Sequence, residues 1–317
     1  MLDRQKYIDL ENKSILISNI ETSSQANDLT EPTNCNGFGR IRHFRRYQEN
    51  WLDDPLPIDP ACHALHLERV DMMRTQVFQM AYCNMNCWYC FVPDDLRNAK
   101  KGKWFNVEEL FNVFMSEKDK PVIIDLTGGN PELTPEWVFW WMRLLKKERS
   151  NLYLWSDDTL STNCMFDYLD GKQIHELAEY KNYGKVCCFK GFDDESFSFN
   201  CRVNSKQFDA QFENFTKYLN CGFDLYAYVT LTTPTTNNIE VRVKKFIDRL
   251  QKIHELLPLR TIPLKIIEYG PTSKRMNENH KQSLSNQFLA KDIWLSEIDR
   301  RYTGEQKNTN IALINLK

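Results

Sequence analysis

Between residues 76 and 270, apolar runs of strand length alternate with segments of helical period, and this alternation constrains the fold more than any other feature of the chain. Runs at 76–80, 122–126, 152–155, 186–189, 225–231 and 264–267 read as six strands. Among the intervening segments, Asn106 and Glu109 have capping-box spacing, and Thr134 followed by Pro135 has the form of a helix start. Phe208, Phe212, Phe215 and Leu219 share one face of a later helix, and Val243, Phe246, Ile247, Leu250 and Ile253 one face of the next. Strands joined by helices rather than tight turns run parallel. The predicted fold is therefore α/β, an open partial (β/α)6 barrel, and its ligands belong at the carboxyl ends of the strands.

Residues with chemical potential do follow those strands. After the first come Cys83, Cys87 and Cys90 in C-x-x-x-C-x-x-C spacing, after the second Thr127-Gly-Gly-Asn-Pro131, after the third Ser156, Asp157 and Asp158, and after the fourth, which itself contains Cys188, Lys190-Gly-Phe-Asp193. Thiolates are soft ligands for iron–sulfur clusters and zinc, and closed structural sites of either kind have four protein donors. No fourth donor is evident: neither His63 nor His66 has zinc-finger spacing, and the chain has no second C-x-x-C pair. Three cysteines can hold three irons of a cubane and leave the fourth open to chemistry. The alternative reading is a non-catalytic Fe–S or zinc protein with an electron-transfer or structural role. Gly128 and Gly129, two adjacent glycines after a strand, let backbone come close to a ligand.

Bulk properties narrow the class. A chain of 317 residues can bury one large core or two smaller ones, and a formal charge of −2 gives no electrostatic case for nucleic acid or anionic membrane. Ten cysteines scattered along the chain, with one tight triplet, point to a reducing compartment. The first residues have neither the basic start nor the apolar run of a signal peptide, and the apolar stretch at 137–142 is cut short by Arg143. The expectation is a cytoplasmic protein with no membrane partner. The basic stretch at 39–47 reads as a solvated or ion-paired face, residues 50–60 as an extended proline-punctuated segment, and residues 310–316 as a late strand or docking tail. The expected organisation is an N-terminal extension at 1–74, a core domain at 75–270 and a polar C-terminal segment at 271–317.

The triplet, with aromatic Tyr89 before its last cysteine, resembles the signature of the radical S-adenosylmethionine (radical SAM) enzymes. The resemblance implies a [4Fe-4S] cluster held by Cys83, Cys87 and Cys90, whose open iron chelates SAM. Reduction then yields a 5′-deoxyadenosyl radical that abstracts hydrogen from a substrate, an oxidoreductase-like chemistry needing an electron donor such as flavodoxin or ferredoxin. Gly128, Gly129, Asn130 and Pro131 resemble the family's Gly-Gly-Glu-Pro motif, which contacts the amino group of SAM; Asn130 replaces the glutamate and brings no charge. Ser156 falls where activating enzymes of glycyl-radical systems carry a sequence that touches SAM, and Asp157 beside it is a candidate to receive a ribose hydroxyl or the methionine ammonium. The segment 186–197 is similar to that of the pyruvate formate-lyase activating enzyme group, in which the lysine matched by Lys190 binds the SAM carboxylate. Cys188 stands in place of that group's aspartate, and its thiol either packs or serves as a hydrogen-atom donor or redox group. No dense C-terminal cysteine cluster is present, so one Fe–S cluster is expected. The substrate, a small molecule or a protein, stays open.

Overall fold

A computed structural model describes residues 3–316. Ten strands occur among them: β1 (Ile8–Asp9), β2 (Ser14–Ser18), β3 (Gly39–Arg45), β4 (Met72–Phe78), β5 (Gly102–Asn106), β6 (Ile123–Leu126), β7 (Tyr153–Asp158), β8 (Tyr183–Phe189), β9 (Leu225–Thr230) and β10 (Thr261–Leu264). Seven form one curled sheet in the order β10-β9-β8-β7-β6-β4-β3. Its six strands from β4 to β10 are mutually parallel and correspond to the six expected runs. The last lies earlier than expected, at 261–264 rather than 264–267.

The seventh strand comes from the presumed extension. β3 pairs antiparallel with β4, opposing Arg40 to Val77, Arg42 to Thr75 and Phe44 to Met73. The small antiparallel sheet β1-β2-β5 is joined to the chain just after β4 by an amide of Ser18 donating to Gln79 O at 2.8 Å and one of Ala81 donating to Leu16 O at 2.9 Å.

Strand periodicity then assigns each residue a face. Toward the helices point Ile124, Leu126, Leu154, Cys187, Phe189, Ala227 and Val229, which share one core with α2 (Val107–Ser116), α3 (Pro135–Lys147), α5 (Gly171–Ala178), α7 (Phe208–Asn220) and α8 (Ile239–Ile253). Toward the inside of the half-barrel point Phe44, Met73, Ile123, Tyr153, Trp155, Val186, Tyr226 and Tyr228, a second core closed by α1 (Ile58–Ala64) through Ile58, Ala61 and Cys62. The segment expected to run extended over 50–60 thus ends in a helix that plugs the barrel.

The Asn106 capping box forms as expected, with Asn106 Oδ1 accepting from the Glu109 amide at 2.8 Å. Thr134 precedes Pro135 at the start of α3, but its hydroxyl donates to Pro131 O at 3.3 Å and does not cap the helix. The polar C-terminal segment contains a long helix, α10 (Glu278–Arg301), which buries Ala290 and Trp294. Residues 310–316 make a short 3-10 turn and no strand, with Ile311 buried in the inner core and Ile314 and Leu316 in the outer one. No helix among the described residues is long and apolar enough to cross a membrane.

Candidate functional site: one cavity at the mouth of the half-barrel

The loop after β4 carries the three cysteines and is fixed by polar contacts from its own later part and from the C-terminal segment. Arg97 donates to Met85 O at 2.8 Å and Asn86 Oδ1 at 2.8 Å from one side; Arg275 donates to Cys90 O at 2.5 Å and Val92 O at 2.8 Å from the other. Trp88 is fully buried between the cysteines, with Nε1 donating to Asn200 Oδ1 at 3.2 Å, and Tyr89 hydrogen-bonds Thr230 Oγ1 at 3.1 Å. The thiols themselves are free, and Cys83 Sγ accepts only the Met85 amide at 3.4 Å. Burial pushes the Cys83 thiol up to about 12, with Cys87 and Cys90 adding to the effect, and burial also raises Cys87. A thiol held in this way ionises when a metal takes the place of its proton.

The loop after β6 packs directly on the cysteine loop, with the Asn130 amide donating to Tyr82 O at 2.8 Å. Gly128 and Gly129 have φ of +77° and +63°. A Cβ on Gly129 would lie 2.2 Å from Met80 O and 2.5 Å from Tyr82 O, so its missing side chain makes room for the chain's own backbone. Glu132 binds this loop to the next one by accepting from the Thr159 amide at 3.1 Å and the Thr162 hydroxyl at 2.6 Å.

Cys83, Cys87, Tyr89, Cys90, Gly128, Gly129, Asn130, Pro131, Asp157, Cys188 and Lys190 all line one cavity. Among the described residues no group of three or more His, Cys, Asp and Glu side chains is placed to hold a single metal ion, while the three thiols line one cavity. Polar groups without a partner line it, among them Asn130 Oδ1 and the Lys190 ammonium. Asn130 is fully buried; its Nδ2 donates to Asn84 Oδ1 at 2.7 Å and Thr159 Oγ1 at 3.0 Å, while Oδ1 accepts nothing. The Lys190 ammonium has no hydrogen bond or ion pair among the described residues. Burial opposes its charge, yet Tyr89, Cys188, Cys87 and Asp157 around it raise its pKa well above the usual lysine value. An unpaired acceptor and an unpaired cation on one wall fit the ammonium and carboxylate of an α-amino acid, which are the chelating groups of SAM.

Ser156 is the expected residue that the cavity lacks. Its side chain points to the helix layer and is fully buried, with its hydroxyl hydrogen-bonded to Tyr183 at 2.8 Å. Strand alternation is the reason: Asp157, one residue on, points inward and accepts from Thr127 Oγ1. Asp158 points outward again, to Lys185 Nζ at 2.7 Å and the Leu160 amide at 2.7 Å. Cys188 faces the cavity, unlike its neighbour Cys187 in the outer core, and burial pushes its thiol up to about 12.

Three charged residues not singled out in the sequence lie on the inner face. Arg42 lines the same cavity, Arg40 lines an adjoining one, and Asp125 is buried on β6 with neither carboxylate oxygen partnered. The signal was the alternation Arg40, Arg42, Phe44 within a strand, which the basic character of 39–47 concealed. The stretch is thus not a solvated face throughout.

The radical SAM superfamily profile matches residues 78–252, more than half of the chain, and the protein belongs to that family. Members of the family are enzymes that use a [4Fe-4S] cluster and SAM. The chain is similar to the 7-carboxy-7-deazaguanine synthase of Methanothermobacter thermautotrophicus, at 29% identity over 119 residues, or 35% of this chain. It spans 47% of the length of that relative. Among solved structures it is similar to Streptococcus suis SuiB bound to S-adenosylmethionine (12% identity, TM-score 0.48, 70% of this chain and 47% of that one). It is also similar to methylornithine synthase PylB (15% identity, TM-score 0.40, 67% and 60%).

Proposed function

We propose that Cys83, Cys87 and Cys90 hold the [4Fe-4S] cluster and that the enzyme abstracts hydrogen from a small organic substrate bound inside the half-barrel. The observation that carries this reading is the single cavity shared by the three thiols, the 128–131 loop, Asp157, Cys188 and Lys190. When bound, the cluster and SAM supply a 5′-deoxyadenosyl radical. The residues of the chain bind, orient and exclude water. Asn130 Oδ1 accepts from the SAM ammonium, Lys190 pairs with its carboxylate, and Tyr89, pinned to Thr230, keeps the last cysteine in place. Asp157, held by Thr127, is positioned to receive a ribose hydroxyl or the ammonium.

Cys188 is the one thiol of the cavity outside the triplet, which makes it the candidate hydrogen-atom donor or redox group. The core domain is assigned to residues 75–270, with β3 of the 1–74 extension completing its sheet and the 271–317 segment, through Arg275, bracing the cysteine loop. A soluble electron donor such as flavodoxin or ferredoxin and a cytoplasmic location fit the reducing chemistry. Similarity of the 186–197 segment to glycyl-radical activating enzymes supports a second reading, a protein substrate, through Lys190 and its unpaired ammonium alone.

Anaerobic reconstitution tests the reading. Wild type is expected to bind four irons per chain in a single cluster and to release 5′-deoxyadenosine on reduction with SAM, as in the family's chemistry. A Cys83/Cys87/Cys90 triple alanine variant that keeps a normal cluster would overturn the ligand assignment, and an intact reduced cluster that gives no 5′-deoxyadenosine would favour the electron-transfer alternative.

A further inference from the structure

Arg40 and Arg42 are an unusual pair to find on the inner face of a sheet. Arg40 is 5% exposed, its Nε and Nη2 are buried without a partner, and no hydrogen bond or ion pair reaches it among the described residues. Arg42 is likewise unpaired, its guanidinium stacked 3.9 Å over the Phe44 ring, and Arg40 lies 5.2 Å from the centre of Phe91. Buried guanidinium groups elsewhere in the protein are matched to acceptors: Arg46 pairs with Asp59, and Arg260 with Asp224 at 2.6 Å and Leu225 O at 2.9 Å. Natural proteins rarely leave a buried cation unpaired, because its desolvation is uncompensated. The nearby carboxylates make no hydrogen bond or ion pair to either guanidinium among the described residues, and although Asp125 and Asp157 favour the charge of both, burial still lowers the pKa of Arg40. Asp157 is engaged by Thr127, and burial together with Asp157 pushes Asp125 well above the usual carboxylate range, toward its neutral form.

Arg40 lines a cavity of about 500 Å³. Arg42 and Phe91 line both that cavity and the one holding the three thiols, so the two spaces adjoin. Their shared walls are aromatic as well as cationic, with Phe44, Phe91 and Tyr269 in both and Trp155 on the side of the thiols. The guanidinium fork matches a carboxylate or phosphate bidentately, and flat apolar walls favour a ring.

We infer that Arg40 and Arg42 form the substrate subsite, and that it takes a small aromatic or heteroaromatic molecule bearing an acid group, carboxylate or phosphate. The acid group occupies the unpaired forks and the ring lies toward Trp155, on the side of the cavity lined by Cys87 and Cys188. This deepens the proposed function and rests on it only for the identity of the ligand as substrate, not for the binding itself.

Isothermal titration calorimetry on the anaerobically reconstituted enzyme with SAM, using benzoate, phenyl phosphate and neutral benzamide as probes, tests it. At least one of the two acids is expected to bind saturably, with benzamide at least tenfold weaker, and the tighter acid identifies the group. Arg40→Gln is expected to weaken the acids at least tenfold while iron content and SAM affinity stay at wild-type values; should that variant not fold, Arg42→Gln serves in its place. Absence of binding by both acids, equal binding of benzamide, or unchanged acid affinity in the variant overturns the subsite. Acid binding that depends on Arg40 in a protein unable to cleave SAM would leave the subsite standing and remove the radical chemistry instead.

Discussion

The two faces of one sheet treat buried charge in opposite ways. On the helix side, Asp158 and Lys185 are fully buried and joined at 2.7 Å, and Ser156 beside them is closed on Tyr183 at 2.8 Å. On the inner side Arg40 and Asp125 are as deeply buried, yet their charged groups lack partners. Burial is therefore not what separates a structural polar group from a functional one here. Satisfaction is. A group that folding has already paired gains nothing from a ligand, whereas an unpaired one is complementary to whatever the cavity admits. The alternation of the two faces runs along a single strand, since Ser156 and Asp158 flank Asp157, which faces the cavity.

The largest effect should come from breaking the outer pair. Lys185→Met leaves Asp158 buried without its counter-charge, and is expected to destabilise the fold by about 3–5 kcal/mol in urea denaturation, with most of the loss recovered in Lys185→Met/Asp158→Leu. Asp125→Asn on the inner face exchanges one unpartnered group for another of the same shape and should change stability by less than about 1 kcal/mol. Similar losses for Lys185→Met and Asp125→Asn would erase the distinction between the faces.

A smaller effect, in binding rather than folding, is expected at the cavity wall. Lys190→Ala should weaken SAM binding by about ten- to hundredfold, or roughly 1.5–3 kcal/mol, because one charge-assisted contact is lost. Its iron content should equal that of wild type, since an ammonium is no iron ligand. Cys188→Ser and Cys188→Ala sharpen the comparison: turnover lost in both with SAM binding intact marks a thiol used in chemistry, while a lower unfolding midpoint with activity retained marks one that packs. Unchanged SAM affinity in Lys190→Ala would withdraw the role carried over to that lysine and leave the family assignment untouched.

Much of the outer face was legible in the sequence, and less of the inner. The six parallel strands and the apolar stripes of α7 and α8 follow from local periodicity, which is what one chain segment can report about itself. The cysteine triplet and the glycine pair were equally legible, because compact motifs carry their own spacing. Three things were not. The pairing of β3 with β4 opposes residues 27 to 39 positions apart, from Arg45 with Met72 to Gly39 with Phe78, and nothing local marks Gly39–Arg45 as the strand that completes the sheet. The face assigned to Ser156 depends on strand register, where a shift of one residue exchanges it for Asp157. Asp125 sits in an apolar run whose hydrophobic neighbours conceal a single charged residue turned inward. The helix α10 is not legible because the face it buries is itself mostly polar, with His280, Ser283, Asn286, Gln287 and Glu297 beside Ala290 and Trp294, and so carries no apolar period.

The most gradual expected effect is a pH dependence that also separates the two faces. Asp54 lies under the inner cavity, accepting from Tyr228 Oη at 2.9 Å and the Leu56 amide at 3.1 Å, with Arg42 and Arg46 near enough to favour its charge. Burial outweighs these and raises its pKa to about 6. An aspartate in the unfolded chain titrates near ~3.9, so between about pH 4 and pH 6 the folded state holds a proton that the unfolded state has lost. Stability contributed by this group is therefore complete below about pH 4 and falls as pH rises toward 6, with a slope of at most about 1.4 kcal/mol per pH unit. Asp54→Asn cannot titrate, and its unfolding free energy should lack that decline when compared with wild type point by point from pH 4 to 7. Parallel curves for the two proteins would mean that Asp54 is ionised throughout, and that the floor of the inner face is as fully compensated as the outer one.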